Sequence, residues 1–66
     1  MSNTMGRDDW NETMRDELGE GVWFAASIEN VDLMWFAYCK GGSIEACAAY
    51  LRAEHIAYLE SQAAAA

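Results

Sequence analysis

The side chains of this chain that could do chemistry are few: one histidine, His55, one lysine, Lys40, two cysteines, Cys39 and Cys47, and eleven carboxylates. Nucleophilic or acid–base catalysis needs such groups held together in a site that excludes water. Spacing along the chain does not gather them. Cys47 and His55 fall on one face of the last apolar segment, but two helical turns separate them by about 12 Å, too far for a hydrogen bond. A dyad built from Cys39 would need a tertiary contact. A structural zinc site takes four thiolate or imidazole ligands, and the chain has three such side chains. Asp8, Asp9, Glu12, Asp16 and Glu17 stand at helical spacing, not at the alternating positions of a calcium loop. Gly41 and Gly42 follow an expected helix, not a strand, and lack Lys and Ser or Thr at the offsets of a phosphate loop. The expectation is a protein that is not an enzyme and that uses no metal and no cofactor.

Charge is the stronger signal. Four Lys and Arg stand against eleven Asp and Glu, a net charge of −7. Such a balance repels a phosphate backbone and favours basic partners. Six of the acids, Asp8, Asp9, Glu12, Asp16, Glu17 and Glu20, lie in the single stretch "RDDWNETMRDELGE". Arg7 and Arg15 fall toward the edges of the ridge these acids form and neutralise it only in part. Like charges four residues apart, such as Asp8, Glu12 and Asp16, cost a helix a few tenths of a kcal/mol per pair, which a small domain would be expected to avoid. At 5.4 Å per turn, the carboxylates recur on a scale comparable with phosphates along a nucleic-acid strand.

The elements that position these acids follow from the glycines, since the chain has no proline. In the first segment, Asn3 or Thr4 is a candidate cap for a helix ending near Leu18, with Gly19 suited to the positive-φ residue beyond it. On that helix Trp10, Met14 and Leu18 share one arc and the acids Asp9, Glu12 and Asp16 the opposite one, joined by Glu20 if the helix extends that far. The middle segment, "EGVWFAASIENVDLMWFAYCKGG", suits either helices or, over residues 22 to 39, a hairpin turning at "ENVD". Helices are favoured, with Asn30 as cap and Gly41 as stop. Ser43 then caps a helix of about five turns, on which Ile44, Cys47, Ala48, Leu51, His55, Tyr58 and Leu59 form the core face.

These elements imply an all-α fold, a compact bundle of three or four short helices; the alternative is an α+β arrangement with a hairpin packed on two helices. Residues 1 to 63 form one small domain. Ala64 to Ala66 read as a disordered tail or a vector scar. The N-terminal stretch shows neither a basic leader nor an apolar run, and no segment is long enough to span a bilayer, so a cytoplasmic location without membrane contact is expected. Two cysteines are too few for a disulfide scaffold, although Cys39 and Cys47 would be bridged if they met across the turn. His55 reads as a core or boundary histidine, with a pH-sensitive contact as the sharper alternative. Trp23, Phe24, Trp35, Phe36 and Tyr38 supply a core; some must stay exposed in so small a domain, which allows a homodimer.

Size, acidity, aromatic density and the lack of catalytic equipment together resemble the small phage-encoded inhibitors of host defence, including anti-CRISPR proteins. The resemblance is one of class, carried by general character over the whole chain. It implies an acidic face that occludes the Lys- and Arg-lined nucleic-acid-binding surface of a larger protein or complex, a CRISPR effector among the candidates, without binding nucleic acid itself. Asp8, Asp9, Glu12, Asp16, Glu17 and Glu20 would carry the contact. Other readings are a regulatory or assembly module acting through exposed aromatics, and a helix-turn-helix regulator suggested by "FAYCKGGSIEACAAYL". In the latter, Arg52 and Gln62 are the only strong candidates for DNA contact, opposed by Glu45, Glu54 and Glu60.

Overall fold

The computed structural model describes residues 4–65. Four helices follow one another: α1 (Arg7–Leu18), α2 (Glu20–Ala25), α3 (Ile28–Cys39) and α4 (Ile44–Ala65). The fold is the expected all-α bundle, and residues 22 to 39 are helical, with no strand among the described residues.

Each boundary has a local cause. α1 starts after Gly6, whose carbonyl accepts from the Trp10 N–H at 2.9 Å. The expected cap at Thr4 is therefore too early, and Asn3 lies outside the described residues. Gly19 closes α1 with φ 85°, and its N–H donates to the Arg15 carbonyl at 2.8 Å. The same glycine starts α2, because its own carbonyl takes the Trp23 N–H at 3.0 Å. α3 begins earlier than Asn30: Ser27 is its cap, and its Oγ accepts from the Asn30 N–H at 3.2 Å. The helix ends in paired bonds, Gly41 N–H to the Tyr38 carbonyl and Gly42 N–H to the Ala37 carbonyl, both 3.0 Å. This two-bond closure needs a left-handed residue past the cap, supplied by Gly41 at φ 109°. Ser43 caps α4 as expected, its Oγ accepting from the Ala46 N–H at 3.0 Å.

The core consists of Trp10, Met14 and Leu18 from α1, Met34 from α3, and Cys47, Ala48 and Leu51 from α4. Trp10 lies at its centre. The Trp35 and Trp23 rings meet it edge-on, with centroids 5.3 and 6.2 Å away, and Tyr38 stands at 6.3 Å. Such edge-to-face pairs add about 0.5–1.5 kcal/mol each beyond area burial. The Arg7 guanidinium covers the Trp10 and Trp35 rings at 5.5 and 5.4 Å. It is also tied to α3 through Asp32, Nη2 to Oδ1 at 2.9 Å.

The expected core face of α4 is correct only in its first half. Cys47, Ala48 and Leu51 are buried and Ile44 and His55 partly so, but Tyr58 is 58% exposed and Leu59 51%. Helix lengths explain the difference. α1 and α3, of 12 residues each, are about 18 Å long, whereas the 22 residues of α4 reach about 33 Å. The apolar stripe thus outruns the helices that could cover it. Ala64 and Ala65, expected to trail as a tail, continue α4 as helix; Ala66 lies outside the described residues. Among the described residues no helix is long and apolar enough to cross a membrane.

Candidate functional site

α1 turns its apolar side inward because Trp10, Met14 and Leu18 recur at four-residue intervals, and the same geometry sends the intervening acids outward. Asp8, Asp9, Glu12 and Asp16 occupy the side facing away from the core, and all four are exposed. Glu17 is exposed too, but it sits nearer α4: its backbone carbonyl accepts from Arg52 Nη2 at 3.0 Å. Glu20 is exposed on α2, beyond the break at Gly19, so it adds charge close to the ridge without continuing its helical register. The structure thus brings four of the six expected site residues into one row and leaves two beside it.

The electrostatics of the row depend on where the cations go. None of the six carboxylates takes part in an ion pair among the described residues, where the one such pair is Arg7–Asp32. Arg7 donates as well to Asn11 Oδ1, Nε to oxygen at 3.1 Å, so two polar groups and two rings hold it against the bundle. Arg15 is half-buried beside the acids, lining a shallow groove with Asp8, Asn11, Glu12 and Trp23, and the exposed Arg52 reaches the end of α1 at the Glu17 carbonyl. Asp8 and Asp9 lie in the first turn, where the helix dipole favours them; Asp16 and Glu17 lie in the last, where it opposes them. Those two acids at the end of α1 run against local stability, offset in part by Arg15 in the same turn.

A second groove adjoins the first and shares Asn11 and Trp23 with it. Phe24, Ile28 and Val31 give it an apolar floor. Sequence reading missed Ile28 because it lies across the break between α2 and α3, where no single helical period relates it to Phe24. No family model, no curated protein and no solved structure matches this chain.

Both cysteines are free, Cys39 exposed and Cys47 buried. Burial raises the Cys47 thiol above its ordinary value by penalising the thiolate, and Sγ donates to the Met34 carbonyl at 3.5 Å. His55 lines a separate groove between α4 and the α2–α3 turn, with Ala25, Ala26, Asn30 and Tyr58. Among the described residues no three His, Cys, Asp or Glu side chains converge on a point where a metal ion could sit. What the surface offers chemically is a row of exposed carboxylates with no ion pair among the described residues, available to a partner's cations.

Proposed function

We propose that this protein is a non-enzymatic inhibitor whose acidic face blocks a Lys- and Arg-lined nucleic-acid-binding surface on a larger protein complex, as in DNA mimicry by anti-CRISPR proteins. The observation that supports the reading is the row Asp8, Asp9, Glu12 and Asp16, exposed and without ion pairs among the described residues, while Arg7 is committed to Asp32. An uncompensated row of this kind steers association with a basic groove and makes it fast and salt-sensitive. Occupying that groove displaces the phosphate backbone that would otherwise fill it.

The test is displacement. A basic nucleic-acid-binding protein captured from bacterial lysate on the immobilised chain should release its DNA or RNA when the free chain is added. Glu12→Lys/Asp16→Lys should remain folded and lose that activity. Full displacement by the folded double variant would remove the proposed surface. A second reading, an assembly module that self-associates, is favoured by the exposed Tyr58 and Leu59 on the free half of α4. It predicts a salt-insensitive dimer in sedimentation, lost on Tyr58→Ser/Leu59→Ser.

A further inference from the structure

We propose that the apolar groove between α1, α2 and α3 is a docking site for a basic amphipathic helix of the partner protein, an inference that rests on the inhibitor reading and gives its target a chemistry. Ile28 and Phe24 are 79% and 71% exposed, the highest values among the large apolar side chains. Both belong to the groove of about 290 Å³ that also contains Trp23, Val31 and Asn11. Trp23 and Asn11 also line the neighbouring groove of about 380 Å³, together with Asp8, Glu12 and Arg15, so its charged side chains are two carboxylates and one guanidinium. The two grooves therefore adjoin along Asn11 and Trp23, one with apolar side chains and the other with a net negative charge. Arg7, the cation in the apolar groove, is neutralised by Asp32. Glu20 and Glu29, both exposed, add negative charge one turn before Phe24 and immediately after Ile28.

Charge complementarity selects the occupant. A nucleic acid would set phosphates against Asp8 and Glu12, and a second copy of the chain would bring another −7 to the same surface. A protein helix with bulky apolar side chains on one side and Lys or Arg beside them satisfies both grooves, and an amphipathic helix presents those two faces in a short segment. The apolar side chains supply burial at Phe24 and Ile28 while the cations meet the row on α1. The acids then govern the rate and salt dependence of association, and the floor governs how long the complex lasts.

The test uses two synthetic helical peptides of about 18 residues, one with Lys on one face and Leu on the other, the second with the same Lys residues and Gln in place of Leu. Titration at physiological salt should show the Lys/Leu peptide binding the chain at least about tenfold more tightly. Phe24→Ala/Ile28→Ala should abolish that preference while retaining the weak, salt-sensitive binding of the Lys/Gln peptide. Leu33→Ala/Phe36→Ala, which removes exposed apolar side chains outside the groove, should leave the preference unchanged. Should the double variant lose helicity, Ile28→Ala alone carries the test. Equal binding of the two peptides, failure of both to bind, or an undiminished preference in the Phe24/Ile28 variants would overturn the groove. These outcomes are independent of the displacement assay, so loss of the groove and loss of the inhibitor reading can be told apart.

Discussion

If the row on α1 is kept for binding, relieving it should stabilise the fold, and Glu12→Lys measures by how much. Glu12 lies at mid-helix, where it faces Asp8 and Asp16 at four residues and Asp9 and Arg15 at three. A neighbouring pair on a helix contributes roughly 0.2–0.5 kcal/mol in either direction, so reversing one member moves each pair by about twice that. The substitution turns three repulsions, with Asp8, Asp9 and Asp16, into attractions and one attraction, with Arg15, into a repulsion. The net gain is about 0.8–2 kcal/mol at low ionic strength, or roughly 3–16 °C in Tm for a domain of this size. Glu12→Gln should give about half. Thermal unfolding followed by circular dichroism at low salt and at about 1 M salt is the assay, because a Debye length of about 3 Å at high salt should erase most of the difference. An unchanged or lowered Tm at low salt would show that the acids do not repel one another as placed, and the argument that function maintains them would fail.

Three other outcomes follow from the same structure. Met14→Ala empties a fully buried position and should cost about 2–5 kcal/mol, a large part of the roughly 3–10 kcal/mol available to a 66-residue domain, read as the midpoint of urea unfolding. Gly41→Ala places a Cβ at φ 109° in the turn before α4 and should destabilise by about 1 kcal/mol or more in the same assay. Cys39 should react with a thiol reagent as fast as an exposed cysteine and Cys47 only on unfolding. Because burial raises the Cys47 thiol above 9.0, the folded chain keeps a proton that the unfolded chain loses. Stability should therefore fall as pH rises past the unfolded value, and Cys47→Ala should remove that component.

The parts of the fold that were legible in the sequence are those where one segment carries its own boundary and periodicity. Trp10, Met14 and Leu18 mark the buried side of α1, and Ser43 and Gly41 mark the turn into α4, because cap chemistry and a 3.6-residue period act locally. Ser27 and Asn30 are both good caps, so chemistry alone does not choose between them. The structure uses Ser27, which gives α3 a further turn and moves Asn30 inside it. The exposure of Tyr58 and Leu59 was illegible for another reason. A period tells which side of α4 is apolar, but not how far α1 and α3 extend alongside it.

The site divides along the same line. The exposed acids of α1 follow from its period, whereas two facts that shape their electrostatics are tertiary. Arg7 is withdrawn from the row by Asp32, 25 positions along the chain, and Ile28 shares a groove with Asn11 only because α2 and α3 fold back across α1. No local pattern encodes either. The separation of Glu20 from the helical row is different, since the Gly19 that breaks the helix there was visible and leaves only the position of α2 to tertiary structure.

The central claim is that the exposed carboxylates on α1 meet the partner's cations, and its most direct measurement is the salt dependence of affinity for the captured nucleic-acid-binding protein. For the native chain, log affinity should fall steeply and linearly with log salt between about 50 and 500 mM, as it does when fixed charges replace counterions. Glu12→Lys/Asp16→Lys, shown to be helical by circular dichroism, should bind far more weakly at low salt and show a much shallower slope. Equal slopes and equal affinities for the two proteins would contradict the account.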